Sequence, residues 1–386
     1  MECELTMLFQ NREQCCGCEA CVQKCPKQCI SFEADEEGFL YPLINHKECI
    51  DCGLCVSVCP FHNPFEPRAP RDAFAAINKD ESVRRNSSSG GVFSLLANSV
   101  LAEGGVVFGA MFDEYWNVVH DYIETVDELP KLRGSKYVQS RIGKCYEVAE
   151  QFLKKGRRVL FSGTPCQIAS IKSFLGKDYE NLITVDCICH GVPSPELWQW
   201  YLDLERKHAP IIRISFRNKD NGWKRFSFAV DYDQEGLAVR NYHRENPYMK
   251  AFLEDMSLRP SCSNCQAKAG RSHSDVTLAD FWNVDKVVDG IDDDKGVSLL
   301  LINTIKGEML MESVQDVVCR EVDFSRAIQF NKAWSESYPM NPNRERFFSF
   351  YRKHGKDFAE FVKMSPQKEI NLAKKIKKRI KCLLNR

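Results

Sequence analysis

Two cysteine runs carry the first chemistry. Cys15-x2-Cys18-x2-Cys21-x3-Cys25-Pro26 is followed by Cys49-x2-Cys52-x2-Cys55-x3-Cys59-Pro60. This is the four-cysteine run of bacterial ferredoxins written twice, each copy closed by a proline that helps turn the chain away from a cubane. Thiolates are the soft ligands that cluster iron needs, and the x2 spacings wrap three of them around one face of a cube. In paired runs the fourth cysteine of each ligates the other cluster. The expected sets are therefore Cys15, Cys18, Cys21 and Cys59 for one [4Fe–4S] centre, and Cys25, Cys49, Cys52 and Cys55 for the other. Zinc knuckles or a disulfide framework are the alternatives. Zinc sites, however, pair two short motifs per ion and do not need three cysteines at x2, x2 followed by x3-Cys-Pro. The chemistry expected is single-electron transfer.

Four further cysteines belong together. Cys166 and Cys189 each follow or end a strand, and Cys262-x2-Cys265 supplies a two-ligand clip with Lys268 and Arg271 close behind. Four thiolates suffice for a third cluster or an all-thiolate zinc site. Separate core cysteines with a chance CxxC are the plainer reading. Cys187 is the rival to Cys189, because strand alternation aims both side chains to one face.

Two loops suit an anion. In Ser87-Ser-Ser-Gly-Gly91 the glycines let backbone approach a phosphate, and the helix that follows offers free N–H groups. Ser162-Gly-Thr-Pro-Cys-Gln167 repeats the device after another strand, with Thr164 as N-cap and Pro165 at the first helical position. A plain helix cap is the commoner reading of the first stretch and accounts for the second equally well. Lys136, within Arg133-Gly-Ser-Lys-Tyr-Val-Gln-Ser140, is placed to meet a phosphate or else is an ordinary surface lysine.

These residues need elements to position them. Ile30 to Pro42 alternates around Gly38 and predicts a short hairpin between the cysteine runs. Pro64, Pro67 and Pro70 stiffen a linker from Phe61 to Pro70. Strands are expected at Ala73–Ile77, Val106–Phe112, Arg158–Ser162, Leu182–Cys189, Asp275–Phe281 and Val297–Ile302. Helices are expected at Val92–Leu101, Gln167–Leu175 and from Glu196 to about Lys207. Ile211–Phe216 and Arg225–Tyr232 read as an antiparallel hairpin inserted in the sheet. The fold expected is an α+β ferredoxin-like dicluster module followed by an α/β domain with a mostly parallel or mixed sheet. Its divisions are residues 1–65, 71–330 and a helical C-terminal extension, 331–386, with a basic tail.

Composition narrows the classes. A hydrophobic share of 44% in 386 residues builds a sizeable core, and zero formal net charge gives no general pull towards nucleic acid. The N-terminal stretch lacks the apolar core of a signal peptide, and no apolar run reaches the roughly 18 residues of a spanning helix. A soluble cytoplasmic protein whose nineteen cysteines serve metal rather than disulfides is therefore expected. From Lys368 to Arg386, lysines and arginines alternate with Ile370, Ala373, Ile376, Ile380 and Leu383 or Leu384 at helical spacing. Such a helix suits an anionic membrane surface or an acidic partner, or packs one stripe on its own domain.

The combination of Ser-Ser-Gly-Gly91, Ser135-Lys-Tyr-Val-Gln-Ser140, Ser162-Gly-Thr-Pro-Cys-Gln167, Cys189-His-Gly-Val-Pro-Ser-Pro195, Cys262-x2-Cys265 and Asp275-Val-Thr-Leu-Ala-Asp-Phe-Trp282 resembles the coenzyme F420 hydrogenase/dehydrogenase beta-subunit family. The likeness runs from Cys15 to about Ile302. It implies an FAD between the glycine loops, a [4Fe–4S] cluster beside it and a pocket above the isoalloxazine ring. Ser89, Gly90, Gly91, Lys136, Ser162, Gly163, Thr164, Gln167 and His190 are then the expected cofactor-binding residues. Catalytic residues are not assigned. The resemblance implies an oxidoreductase passing electrons between a two-electron organic substrate and one-electron carriers such as ferredoxin. That substrate is reduced coenzyme F420 or another small molecule, with surface polysaccharide metabolism one setting. A non-catalytic relay subunit and a structural zinc protein are the alternatives.

Overall fold

Val159-Leu160-Phe161 is apolar at every position, which a strand tolerates only when both its faces are covered. The computed structural model, which describes residues 5–354, has Val159 and Phe161 packed on one face of a sheet and Leu160 on the other. The tail from Lys368 to Arg386, and with it the helix expected there, lies outside the described residues.

The N-terminal module holds β1 (Leu5–Met7), α1 (Ala20–Lys24), β2 (Ile30–Ala34), β3 (Leu40–Asn45) and α2 (Leu54–Ser57). β2 and β3 form the hairpin read from Gly38, and β1 adds to the free edge of β3. Residues 64–70 carry no regular element, as the prolines require.

The body opens with β4 (Asp72–Asn78), α3 (Glu81–Arg85), α4 (Val92–Ala102), β5 (Val106–Phe112), β6 (Val118–Ile123), α5 (Leu129–Leu132) and α6 (Cys145–Lys154). It continues through β7 (Val159–Gly163), α7 (Pro165–Leu175), β8 (Leu182–Cys187) and α8 (Pro195–Glu205). β9 (Ile211–Asn218), β10 (Ser227–Tyr232), β11 (Ala238–Tyr242) and α9 (Pro247–Leu253) precede β12 (Val276–Asp280) and β13 (Ser298–Ile302). Last come α10 (Ile305–Glu312), β14 (Val317–Glu321), α11 (Phe324–Ile328) and α12 (Arg344–His354).

The main sheet is mixed, in the order β14-β4-β13-β12-β8-β7-β5-β6. Its centre, β12-β8-β7-β5, is parallel, and the outer pairs are antiparallel. Leu96 and Val100 of α4 and Leu310 of α10 cover one face, and Tyr146 and Ala149 of α6 with Ile168 and Phe174 of α7 cover the other.

Two expectations are corrected. The segments around Ile211 and Arg225 do pair, but outside the main sheet, where β9 and β10 join β11 in a separate three-stranded sheet. Burial explains this. Phe216, Phe228 and Val230 pack with Trp198, Tyr201, Tyr248 and Phe252 of α8 and α9 in an aromatic core of their own. Also, β8 stops at Cys187, because the chain turns away towards Pro193, which bridges Leu258. Cys189 therefore sits on the loop beyond the strand.

The module is seated on helix ends. Glu19 accepts the amides of Ile142 (3.0 Å) and Gly143 (3.2 Å), and Gln23 accepts those of Tyr146 (3.1 Å) and Glu147 (3.2 Å) at the start of α6. Lys24 donates to the carbonyl of Phe174 (2.7 Å) in the last turn of α7. A first turn offers orphan N–H groups and a last turn orphan carbonyls, so α1 presents acceptors to one and a cation to the other. From the far end, Arg344 of α12 forks onto Glu37 of the β2–β3 turn, with Nη1 to Oε1 at 2.8 Å, both groups buried.

Replacing Arg344 by Ala strands a buried carboxylate. Anaerobic denaturant titration is expected to read a loss of about 3–5 kcal/mol, while the paired change Glu37→Leu with Arg344→Met recovers most of it.

Candidate functional site

The thiols of the first run come together. Burial, then Cys18, Cys15 and Cys59 in turn, push the Cys21 thiol well above its ordinary range. Cys59 is pushed up to about 12 by burial and then by Cys18, with Cys15 adding to it. The set expected from spacing thus shares one buried neighbourhood. Cys25, Cys49, Cys52 and Cys55 share another, which burial and Cys49 mark around Cys55. It includes a thiol that spacing did not mark: Cys29 lies 3.5 Å from Cys25, Sγ to Sγ. Backbone N–H groups donate to sulfur at the same offset in both runs, Gly17 to Cys15 and Asp51 to Cys49, each at 3.4 Å. Gly17 turns through φ +68°, and a Cβ there would stand 2.6 Å from the Gln139 amide. Only glycine fits that approach.

The third group forms at the sheet edge. Cys166 sits in the first turn of α7, and its thiol is lowered first by a hydrogen bond from Cys16 and, against burial, by the Thr164 hydroxyl at 3.2 Å. Cys16 in turn is raised by its hydrogen bonds to Cys166 and Cys18, so it touches both the first run and the third group. Burial raises Cys189, with Cys187 and Cys262 the next causes and Cys166 among the rest. Burial and Cys265 push Cys262 up to about 12. Cys187 is exposed, but towards the cavity described below, and the surrounding protein still pushes its thiol up to about 12.

All cysteines of the described residues are free thiols, and among those residues no group of three or more His, Cys, Asp or Glu side chains is drawn together tightly enough to hold one metal ion. The thiols form neighbourhoods rather than single-ion sites. A four-iron cube, bound through a sulfur at each iron, asks for neighbourhoods of that kind.

Beside the third group opens a cavity of about 1420 Å³ at the carboxyl edge of β7, β8 and β12. Ser89, Gly91, Lys136, Ser162, Gly163, Thr164, Gln167 and His190 line it, together with Cys187 and Cys189. Val92, Phe93 and Ser94, the first turn of α4, also face it. Thr164 and Gln167 close the capping box of α7, so the second loop is held rigidly. Lys136 donates to the carbonyls of Arg133 and Gly134, both at 3.2 Å, and burial pushes its pKa down to about 7. An anion in the cavity would favour the charged amine. His190 bonds Asp255 at 2.5 Å and packs against Tyr338.

Gly90 stands apart. It is not among the lining residues, and a Cβ on it would lie 2.4 Å from the Ala76 carbonyl and 2.8 Å from the Ser298 amide. Its bareness lets the loop cross β4 and β13. The far wall escaped sequence reasoning. Arg217 forks onto Asp280 (2.6 and 3.0 Å) and reaches the Tyr137 hydroxyl (3.1 Å), while Trp223 donates to the same carboxylate at 2.9 Å. The guanidinium stacks over Phe226 at 4.1 Å and near Trp282 at 5.4 Å. Asp280 and Trp282 belong to a stretch singled out above; nothing in the spacing marks Arg217.

Comparison with protein families matches residues 14–63 to the 4Fe-4S dicluster domain. Residues 73–145 match the N-terminal part, and residues 156–324 the C-terminal part, of the coenzyme F420 hydrogenase/dehydrogenase beta subunit. Among solved structures the chain is similar to one from the F420-reducing [NiFe] hydrogenase complex of Methanosarcina barkeri, at 16% identity and a TM-score of 0.46, over 75% of this chain and 94% of that one. No protein of curated function matches.

The crowding at Gly90 sets a stability test. Gly90→Ala presses a methyl on backbone and is expected to cost about 1–3 kcal/mol by thermal unfolding. Gly163→Ala, whose Cβ meets the Gln167 side chain at 3.0 Å, is expected to unfold near the parent midpoint.

Proposed function

The chain belongs to the coenzyme F420 hydrogenase/dehydrogenase beta-subunit family and carries a 4Fe-4S dicluster domain, and from that premise we propose that it is an FAD-dependent oxidoreductase linking a small two-electron organic substrate to one-electron carriers. The observation that carries this reading is the row of thiols from the module to the cavity wall: Cys18, Cys16, Cys166, and then Cys189 with Cys187. A flavin, when bound, exchanges two electrons with an organic molecule and single electrons with iron–sulfur clusters.

The residues divide the work. Cys166, Cys189, Cys262 and Cys265 would hold a third [4Fe–4S] cluster, with Cys187 the rival to Cys189 as the fourth ligand. Ser89, Gly91 and Gly163, with the first turn of α4, would bring backbone to a pyrophosphate, and the Thr164 amide is kept by Gln167. Lys136 would add a positive charge there. The aromatic and guanidinium wall of Arg217, Phe226 and Trp282 excludes water from the opposite side. A cavity of about 1420 Å³ exceeds the roughly 300–1,000 Å³ of an ordinary small-molecule pocket, so a cofactor and a substrate fit together. A relay without chemistry of its own has no use for such a space, which favours the enzymatic reading.

Anaerobic purification with metal and flavin analysis tests this directly. About twelve irons and one FAD per chain are expected; about eight irons with zinc at the third group would sink the three-cluster assignment. Cys262→Ser is expected to remove about four irons and leave FAD in place. Gly163→Leu should lose FAD while keeping iron, because its side chain pushes the phosphate off the backbone. FAD affinity should also fall as pH rises above 7. The Lys136 amine, pushed down to about 7, must then take up a proton to pair with phosphate. The slope is up to about tenfold per pH unit, and Lys136→Met flattens it in a fluorescence titration.

A further inference from the structure

Four arginines are buried in the described residues: Arg84, Arg217, Arg259 and Arg344. Three of them fork onto carboxylates, Arg84 on Asp293, Arg217 on Asp280 and Arg344 on Glu37. Arg259, only 1% exposed, is different. Its Nε donates to the Cys15 carbonyl (2.7 Å), Nη1 to Gln139 Oε1 (2.9 Å) and Nη2 to the Leu40 carbonyl (2.9 Å), and Nη2 stands 3.6 Å from Cys15 Sγ. The rings of Tyr41 and Phe39 lie at 4.3 and 5.5 Å from its guanidinium carbon. Two carbonyls, an amide oxygen and a thiol are its hydrogen-bond partners; no carboxylate is among them. A guanidinium cannot shed its proton, and an uncompensated buried charge is strongly unfavourable.

We propose that Arg259 is the buried counter-charge of the cubane held by Cys15, Cys18, Cys21 and Cys59, and that it raises that cluster's reduction potential above the value the buried site would otherwise impose. The inference rests on the dicluster reading of the module. Four thiolates outweigh the positive core of a cubane, and one added electron increases the negative charge. A cation fixed against a ligand sulfur in a dry site therefore favours the reduced state. The sister group lacks this environment: Cys25, Cys49 and Cys55 are half-buried and Cys52 is exposed, so water screens its charge. Arg259 also holds Gln139, whose Nε2 donates to the Cys16 carbonyl at 2.9 Å. The same cation thus positions the thiol that touches Cys166.

The test is a potentiometric titration of the full-length, reconstituted protein, with dithionite as reductant and the clusters followed by electron paramagnetic resonance. Arg259→Gln keeps a hydrogen-bond donor and removes the charge; Arg259→Lys keeps the charge. In the Gln variant one cluster is expected to become at least tenfold harder to reduce, 59 mV for one electron, while the midpoint of the sister cluster of Cys25, Cys49, Cys52 and Cys55 stays. The Lys variant should remain near the parent. A Gln variant that assembles no module iron while Lys assembles fully also supports the counter-charge. Unmoved midpoints in a fully loaded Gln variant overturn the proposal, and so does equal iron loss in both variants, which would mean that shape rather than charge is at stake. A parent protein without any iron–sulfur signal would overturn the dicluster reading itself, so the two failures are distinguishable.

Discussion

The seating of α1 on the ends of α6 and α7 is the contact on which the rest depends. A small module cannot bury much surface on its own, so Phe9, Phe39 and Tyr41 pack into the core of the body with Leu197 and Trp198. Groups that the body's helices leave unpaired fix its orientation. Glu19 and Gln23 take four amides around the start of α6, and Lys24 takes a carbonyl at the end of α7. The same α7 carries Cys166 in its first turn. One helix therefore fixes the module at one end and presents the Cys166 thiol at the other, and this alignment brings Cys16 against Cys166.

The cavity follows from the sheet. Parallel strands β7 and β8 end side by side, and the loops leaving them cannot continue the ladder, so their amides and side chains face a common space. Antiparallel β13 and β4 extend the sheet and supply the surface on which the Gly90 loop rests. The separate three-stranded sheet then closes the open side with Arg217 and Phe226. Each wall is a different architecture, which is why no single motif encloses the site.

Much of this was legible before any coordinates. Period-matched apolar runs and caps placed β5, β7, α4 and α7, and the cysteine spacing announced the dicluster domain. Thr164, Pro165 and Gln167 announced their helix start through local chemistry that tertiary structure did not override. What escaped depended on contacts distant in sequence. Arg217 becomes a wall only when Asp280 meets it, 63 residues on. Cys16 carries no spacing signal because folding brings Cys166 to it, whereas Cys29 meets Cys25 only four residues away but falls outside the repeated run. Gly90 and Gly91 look alike in sequence, yet one faces backbone and the other the cavity.

Burial also gives the thiols a direction. Cys52 is exposed, next to exposed Ile50, Leu54 and Val56, while Cys15, Cys18, Cys21 and Cys59 are buried and Cys166 is half-buried at the edge of the sheet. Single-electron exchange with another protein needs a centre near the surface, whereas chemistry on a small molecule needs water excluded. A chain that must do both has to separate them in space and bridge the gap with buried groups. The charge on those groups then becomes the protein's problem, since water is no longer there to screen it. A buried cation is one of few solutions open to a folded chain, and Arg259 occupies the position between the two regions where it is needed.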